Sequence, residues 1–219
     1  MNKVNKVKKL LATVILASLC VASVSSVWYC VKAGVADAST LGLRATLAQY
    51  QSNGTLPNPV AWQELQQGLQ EASQLAPDAP QYHEDLAYLY AVRGVAAMRF
   101  DAVARPNLEL AKTNYQQALT TRPMTPATWA NLALLTNYLD AKNTTEIDHL
   151  VNTATQLGPN DPKTQMTLFY VGMQRWNTLD KQQKQHLKEI LMHTRPPFKA
   201  NMLAAAAQFN IVELMPHAL

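Results

Sequence analysis

Pairs of prolines divide most of this chain into segments of similar length, and no other feature constrains the fold as strongly. Each segment closes on one proline, and the next segment opens on another shortly after it. The closing prolines are separated by 46, 36 and 37 residues; they are Pro77, Pro123, Pro159 and Pro196, followed by Pro80, Pro126, Pro162 and Pro197. Proline cannot continue a helix but is favoured at its first position. The pattern therefore predicts helices that end and restart at each pair.

The residues beside these prolines support the same boundaries. Thr125 and Asp161 stand directly before a restarting proline and are suitable N-cap residues. Gly158 follows the end of one apolar pattern, where a helix C-terminus is expected. A period in the mid-thirties with two helices per unit is typical of an α-solenoid. We therefore predict an all-α fold with about four helix pairs over residues 59–196, although an ordinary helical bundle could share this periodicity.

Small, large aliphatic, aromatic and proline residues recur inside the segments at matching offsets. They are Leu86, Ala87 and Tyr90; Ala111, Tyr115, Ala118 and Pro123; Trp129, Leu132 and Ala133; and Ile147, Val151 and Ala154. At these positions the chain resembles tetratricopeptide repeats, which implies nested antiparallel helix pairs around a concave groove. The third unit departs from the pattern, with Phe169 at the usual small position and Gly172 where an aromatic is expected. The first full unit carries extra residues around Phe100–Arg105.

A narrower resemblance rests on four short stretches in the middle of the chain. They are Arg122-Pro123, the run from Trp129 to Leu135, the run from Leu157 to Pro159, and Arg175-Trp176. Together with a short basic start and one apolar span, they resemble the VpsP-type proteins of bacterial exopolysaccharide gene clusters. The resemblance implies a role in envelope polysaccharide synthesis or export, and it brings no catalytic residues with it.

An uncharged stretch of 22 residues, 10–31, precedes the repeats. As a helix it is long enough to cross the hydrocarbon core of a bilayer, about 30 Å thick. The basic residues of segment 1–9 precede it and only Lys32 follows closely, so we predict a single-pass inner-membrane protein with a cytoplasmic N-terminus. The alternative is a cleaved signal peptide, for which Ala36-Asp37-Ala38 offers a distant cleavage sequence. Either way, the repeats are expected in the periplasm if the source is a Gram-negative bacterium.

The remaining segments are expected to link and close the repeats. Residues 32–58 are interpreted as a linker and leading helix, and residues 197–219 as a C-terminal capping helix, since the terminal units of a solenoid need a cap. The two cysteines, Cys20 and Cys30, both lie in the apolar run, so the exported part has no disulfide and no thiol chemistry. Its stability must come from packing.

The charge balance excludes nucleic-acid binding. The formal net charge of +4 arises from the basic start, because residues 33–219 carry 14 Lys+Arg against 15 Asp+Glu. A nucleic-acid partner would require clustered basic residues on the folded part. The VpsP resemblance and the predicted solenoid instead imply protein partners of an envelope polysaccharide system, with glycan as a second possibility.

The polar residues do not assemble into a catalytic or metal-binding pattern. His83, Glu84 and Asp85 are adjacent, and adjacent helical side chains point in different directions, so they cannot share one ion. The sequence also lacks a phosphate loop, a nucleophile elbow and a zinc-binding histidine pair. Acid pairs such as Glu64 with Glu71 lie on ordinary amphipathic stretches. We therefore predict no enzyme activity, no metal and no cofactor.

The groove of the predicted solenoid supplies the candidate binding residues. Solenoid concavities bind extended segments of partner proteins. The residues expected on that surface are Gln81, Glu84, Tyr88, Lys163 and Tyr170. The first hypothesis is a membrane-anchored scaffold or adaptor in exopolysaccharide biosynthesis or export. The alternative is direct glycan binding by stacking on Tyr88, Tyr170 and Trp176, and an enzyme acting on the polysaccharide is the third reading.

Overall fold

The computed structural model describes residues 3–215, and every regular element in that range is helical. The prediction of an all-α fold is therefore confirmed. Between residues 3 and 215 the chain forms nine α-helices and two 3-10 helices, the latter at Trp176–Thr178 and Val212–Leu214. The α-helices are α1 (Lys3–Asn53), α2 (Pro59–Leu75), α3 (Pro80–Ala96), α4 (Asp101–Thr121), α5 (Pro126–Leu139), α6 (Thr144–Leu157), α7 (Pro162–Gln174), α8 (Lys181–His193) and α9 (Phe198–Gln208).

The chain divides into two compact units, with the division after Tyr82. The first unit contains α1, α2 and the start of α3, and its helices α1 and α2 pack together. The second unit holds the rest of α3 and helices α4 to α9. In it α5 contacts α4, α6 and α7, and α7 contacts α6, α8 and α9.

Helix α1 differs from the expectation for the N-terminal region. Residues 32–58 were interpreted as a linker and leading helix, and the structure shows no linker before Asn53, because the helix continues from the apolar run through to that residue. Gly34 and Gly42 do not interrupt it. Helix α1 is the one helix in the described part of the chain that is long and apolar enough to cross a membrane, and its most apolar stretch is entirely exposed.

Three of the four proline pairs mark a helix start. Helices α3, α5 and α7 begin at Pro80, Pro126 and Pro162, as predicted. The Asp161 side chain accepts a hydrogen bond from the Thr164 N–H at 2.8 Å and caps α7. Thr125 occupies the N-cap position of α5, as predicted, but its side chain makes no capping hydrogen bond. One detail was wrong: at the last pair Pro197 is the N-cap residue, and α9 begins one residue later.

Two glycines allow close approaches between helices of the second unit. Gly158 caps α6 at a negative φ, and a β carbon there would lie 2.6 Å from the Pro126 side chain. Gly172, at the departure from the repeat pattern, would place a β carbon 2.5 Å from Leu187 Cδ1. The missing aromatic at Gly172 is thus replaced by a leucine from α8.

The tail packs against α7 and α8 in the second unit. Met202, Ala205 and Ala206 of α9 are buried with Phe169 of α7, which is itself fully covered. Ile211 and Leu214 belong to the same apolar cluster. The predicted cap 197–219 is therefore helical as far as Gln208, and its last four residues lie outside the described part.

Candidate functional site

Glu84 connects α3 to α5 in the second unit. Its Oε1 accepts a hydrogen bond from Thr128 Oγ1 at 2.9 Å, and its Oε2 lies 3.4 Å from the Arg122 guanidinium. The Glu84 side chain remains 24% exposed. The predicted groove residue therefore has a structural partner on each oxygen and keeps a limited exposed edge.

Two polar pairs connect α5 to α7 in the same way. Thr167 Oγ1 lies 3.4 Å from Asn131 Oδ1, and the Asn137 amide donates to Gln174 Oε1 at 2.5 Å. Each pair joins one helix to the second helix after it in the chain. A set of polar ties thus runs across α3, α5 and α7.

Three tyrosines lie half-buried on these helices. Burial raises the pKa of the Tyr88 phenol above its usual value. Burial also raises the pKa of Tyr138, and a hydrogen bond from Gln174 partly offsets that effect. Tyr170 meets Phe209 edge to face, with ring centroids 6.4 Å apart. Each ring is held in place by packing, and part of its surface stays open to solvent.

Tyr115 of α4 lies close to Glu84, Tyr88 and Asn131. Its side chain is buried, and burial raises the pKa of its phenol strongly, with a further contribution from the negative charge of Glu84. A hydrogen bond from the Asn131 amide acts in the opposite direction. Tyr115 thus fills a core position, as the repeat pattern predicted, and orients Asn131.

The side chains on these three helices form the candidate site, the α3–α5–α7 face. It comprises Glu84, Tyr88, Asn131, Leu134, Tyr138, Tyr170 and Gln174. Leu134 follows the small residue Ala133 as Tyr88 follows Ala87, so the two take equivalent places in their helices. The structure thus adds three polar or aromatic positions, Asn131, Tyr138 and Gln174, and one leucine to the predicted set. The repeat offsets in α5 could have identified Leu134 and Tyr138.

The five predicted groove residues have different surroundings. Glu84, Tyr88 and Tyr170 belong to the α3–α5–α7 face, and Tyr170 lies next to Tyr138 and Gln174. Lys163 is exposed in the first turn of α7. Gln81 is half-buried near the start of α3 and belongs to the first unit, so it is not placed with the others.

A cleft of about 210 Å³ lies among α6, α7 and α8. Its walls are mainly apolar, with Val151, Leu168 and Ile190 among the lining residues. Arg175, whose side chain is 10% exposed, pairs there with Asp148 at 2.7 Å. Because the carboxylate neutralises the guanidinium, this cleft is an apolar recess with a paired charge at its edge.

The titratable side chains stay dispersed. Over residues 11–215 no group of three metal-capable side chains comes together. His83 Nδ1 lies 3.3 Å from Asn114 Oδ1, so its ring has a polar neighbour on α4. Glu64 and Glu71 are both exposed.

Trp176 does not present a stacking surface. Its side chain is 8% exposed, and the Lys184 ammonium lies 5.1 Å from the ring centroid. A sugar ring needs an open aromatic face, so Trp176 is removed from the aromatic set that the glycan hypothesis requires.

Comparison with known proteins finds no matching family model, no matching curated protein and no matching solved structure.

Proposed function

We propose that this chain is a membrane-anchored scaffold that binds a partner protein on its α3–α5–α7 face. The observation that carries the proposal is the combination of half-buried tyrosines and amide side chains on alternate helices. Tyrosine is enriched in protein interfaces because it contributes a large apolar area together with a hydrogen-bonding group. Side chains already held by packing lose little further freedom on binding, so less of the binding energy is spent on ordering them.

The helix order of the second unit supports a tetratricopeptide-like solenoid. In such a stack the first helix of each pair contacts its own partner and the first helix of the next pair, because each repeat touches only its neighbours. Helix α5 contacts α6 and α7, and α7 contacts α8 and α9. On this proposal α3, α5 and α7 are the groove-lining helices.

Anchoring by α1 gives the scaffold its mechanism. All side chains of residues 11–31 are exposed, and the length of this apolar stretch supports a membrane-spanning segment. Lys32 lies over the Trp28 ring at 5.4 Å, which fits an aromatic residue and a lysine at a membrane boundary. Confinement to the inner membrane, with the repeats in the periplasm, raises the effective concentration of the face for a membrane-bound partner.

The pathway is proposed from the VpsP resemblance of the middle of the chain. The partner would then be a protein of exopolysaccharide polymerisation, chain-length control or export. Tethered binding needs no catalytic group and no cofactor.

Site-specific photo-crosslinking in living cells tests the proposal. A crosslinking amino acid replaces Tyr88 or Tyr170, and the matched controls replace Gln116 and Gln156, which are exposed on α4 and α6. Captured species are then identified by mass spectrometry. We expect the two tyrosine positions to capture the same envelope polysaccharide protein and the control positions to miss it. Capture of glycan alone supports the alternative function, and equal capture at all four positions contradicts the face.

A further inference from the structure

Very little chain separates the exposed apolar part of α1 from its packed part. Side chains are exposed through Val31, and the first fully covered one is Ala36. Five helical residues rise by about 8 Å. The helix does not break between these points, so no flexible tether separates the apolar segment from the hairpin that α1 forms with α2.

The register of α1 against α2 shows which residues lie beside the start of the packed part of α1. Leu43 Cδ1 fills the space that a β carbon on Gly68 would need, so these two residues oppose each other. The connection between α1 and α2 is short, and such neighbours run antiparallel. Counting from this contact, Ala36 opposes Leu75, and the turn Ala76–Ala79 opposes the residues just after Val31.

A hydrogen bond supports the same register. The Tyr82 hydroxyl, at the start of α3, donates to Asp37 Oδ1 at 2.5 Å. The chain therefore leaves α2 and enters α3 beside the first packed turn of α1. The opposite end of the hairpin, Gly54–Asn58, lies about 33 Å further along the helix axis than Val31.

We infer that the turn Ala76–Ala79 lies on the surface of the bilayer and contacts lipid headgroups. This inference rests on the proposed membrane anchor. The headgroup layer adds about 5–7 Å on each side of the hydrocarbon core. With residues 10–31 filling that core, the turn falls within or directly above this layer, while Gly54–Asn58 stands well clear of it.

The charges at this end define the kind of lipid surface that fits. Pro77 and Asp78 are exposed in the turn, and Lys32 lies on the adjoining part of α1. Lys32 and Asp78 offset each other, and Asp37, bonded to Tyr82, adds a negative charge, so this end suits zwitterionic headgroups and gives no reason for a preference for anionic lipid. Salt should have little effect on the contact, because screening acts on net opposite charge between surfaces.

Fluorescence quenching on the full-length chain in lipid nanodiscs tests the inference. Three single-cysteine chains carry a bimane label: native Cys20 with Cys30→Ser, and Asp78→Cys or Ser52→Cys with both native cysteines changed to serine. Phosphatidylcholine bearing a nitroxide on its headgroup reports surface contact, and lipid with a nitroxide deep in the acyl chain reports burial. We expect headgroup quenching to be several-fold stronger at position 78 than at position 52, and acyl-chain quenching at position 20.

The outcomes separate the two proposals. Equal headgroup quenching at positions 78 and 52, with position 20 still quenched by the acyl-chain probe, overturns the surface contact and leaves the anchor intact. Absence of acyl-chain quenching at position 20 overturns the anchor and the inference with it. A flexible Gly-Ser insertion after Ala33 should reduce headgroup quenching at position 78, because it releases the hairpin from the membrane surface.

Discussion

The two halves of α1 share one continuous helix but have opposite surroundings. All side chains of residues 11–31 are exposed. In the half that follows, Ala36, Thr40 and Leu47 are covered almost completely. Their spacing of four and seven residues places them on one stripe of the helix, which packs in the first unit.

This difference shows that the distribution of apolar residues around a helix decides which part of it packs against protein. The first half is apolar all round, and no other described part of the chain covers it, as for a helix that is long and apolar enough to cross a membrane. The second half is apolar along one stripe only, and α2 packs against it. Three predictions test this division, and a fourth compares a buried threonine of α1 with one of α5; they run from the largest expected effect to the smallest.

Leu47→Ala should destabilise the first unit. Removing a fully buried leucine side chain costs about 2–5 kcal/mol, since the transfer energy is lost and a cavity remains. The control is Leu41→Ala on the same helix, because Leu41 is 75% exposed and should tolerate the change. Hydrogen exchange of α2 measures the effect, with faster exchange expected for Leu47→Ala alone. Equal exchange in the two variants would show that the second half of α1 is not packed.

Val21→Asp should weaken membrane insertion. An aspartate near the centre of a spanning helix costs roughly 2.5–3.5 kcal/mol on translocon-based scales. The measurement is the fraction of chain that remains with membranes after alkaline extraction. Leu41→Asp is the matched control, since it places the same charge on the packed half and should leave the membrane fraction unchanged. A comparable loss for both variants would contradict the separation of the helix into two halves.

Tyr82→Phe should lower the stability of the first unit by about 1.5 kcal/mol, because a hydrogen bond to a charged acceptor is lost. Burial and then the bond to Asp37 raise the pKa of Tyr82. The contribution of the neutral phenol is therefore complete below pH 10 and declines as the pH rises above that value. Denaturant unfolding from pH 8 to 11 should show a smaller alkaline loss for Tyr82→Phe than for Tyr50→Phe. Parallel pH profiles for the two variants would contradict a stabilising hydrogen bond from Tyr82 to Asp37 of α1.

Two buried threonines should respond differently to replacement by valine. Thr40 Oγ1 donates to the Ala36 carbonyl at 2.7 Å, whereas Thr136 Oγ1 has no hydrogen-bond partner among the described residues. Leaving a buried polar atom unsatisfied costs about 1–3 kcal/mol. Thr136→Val should therefore raise the free energy of unfolding by about 1 kcal/mol, and Thr40→Val should not raise it. A loss of stability in Thr136→Val would indicate a partner for its hydroxyl.

Local patterns predicted the helix starts but missed the continuity of α1. Proline at the first helical position determines where α3, α5 and α7 begin, and this effect is visible in the sequence. The change in composition after Val31 was interpreted as a linker. The helix continues because neither Gly34 nor Gly42 needs a positive φ, and the small residues Ala36 and Thr40 allow close packing.

The candidate face was predictable where it follows the repeat offsets. Tyr88 and Tyr170 were identified in this way, and both lie half-buried on α3 and α7. The edge contact of Tyr170 with Phe209 was not predictable, because it depends on how the tail folds back onto α7. The pairing of Asn137 with Gln174 likewise depends on the distance between two helices, which no local pattern contains.

Partner binding by a double variant of the face tests the central claim most directly. Tyr88→Ala with Tyr170→Ala is compared with Gln116→Ala with Gln156→Ala, after circular dichroism shows that each chain keeps its helical content. Tyr88→Ala alone is included, because Tyr170 also packs on Phe209. The account predicts at least about a tenfold loss of affinity for the crosslinked partner in the tyrosine variants, the size typical of interface hot spots. Unchanged co-purification with the folded tyrosine variants would contradict the claim that this face is the binding surface.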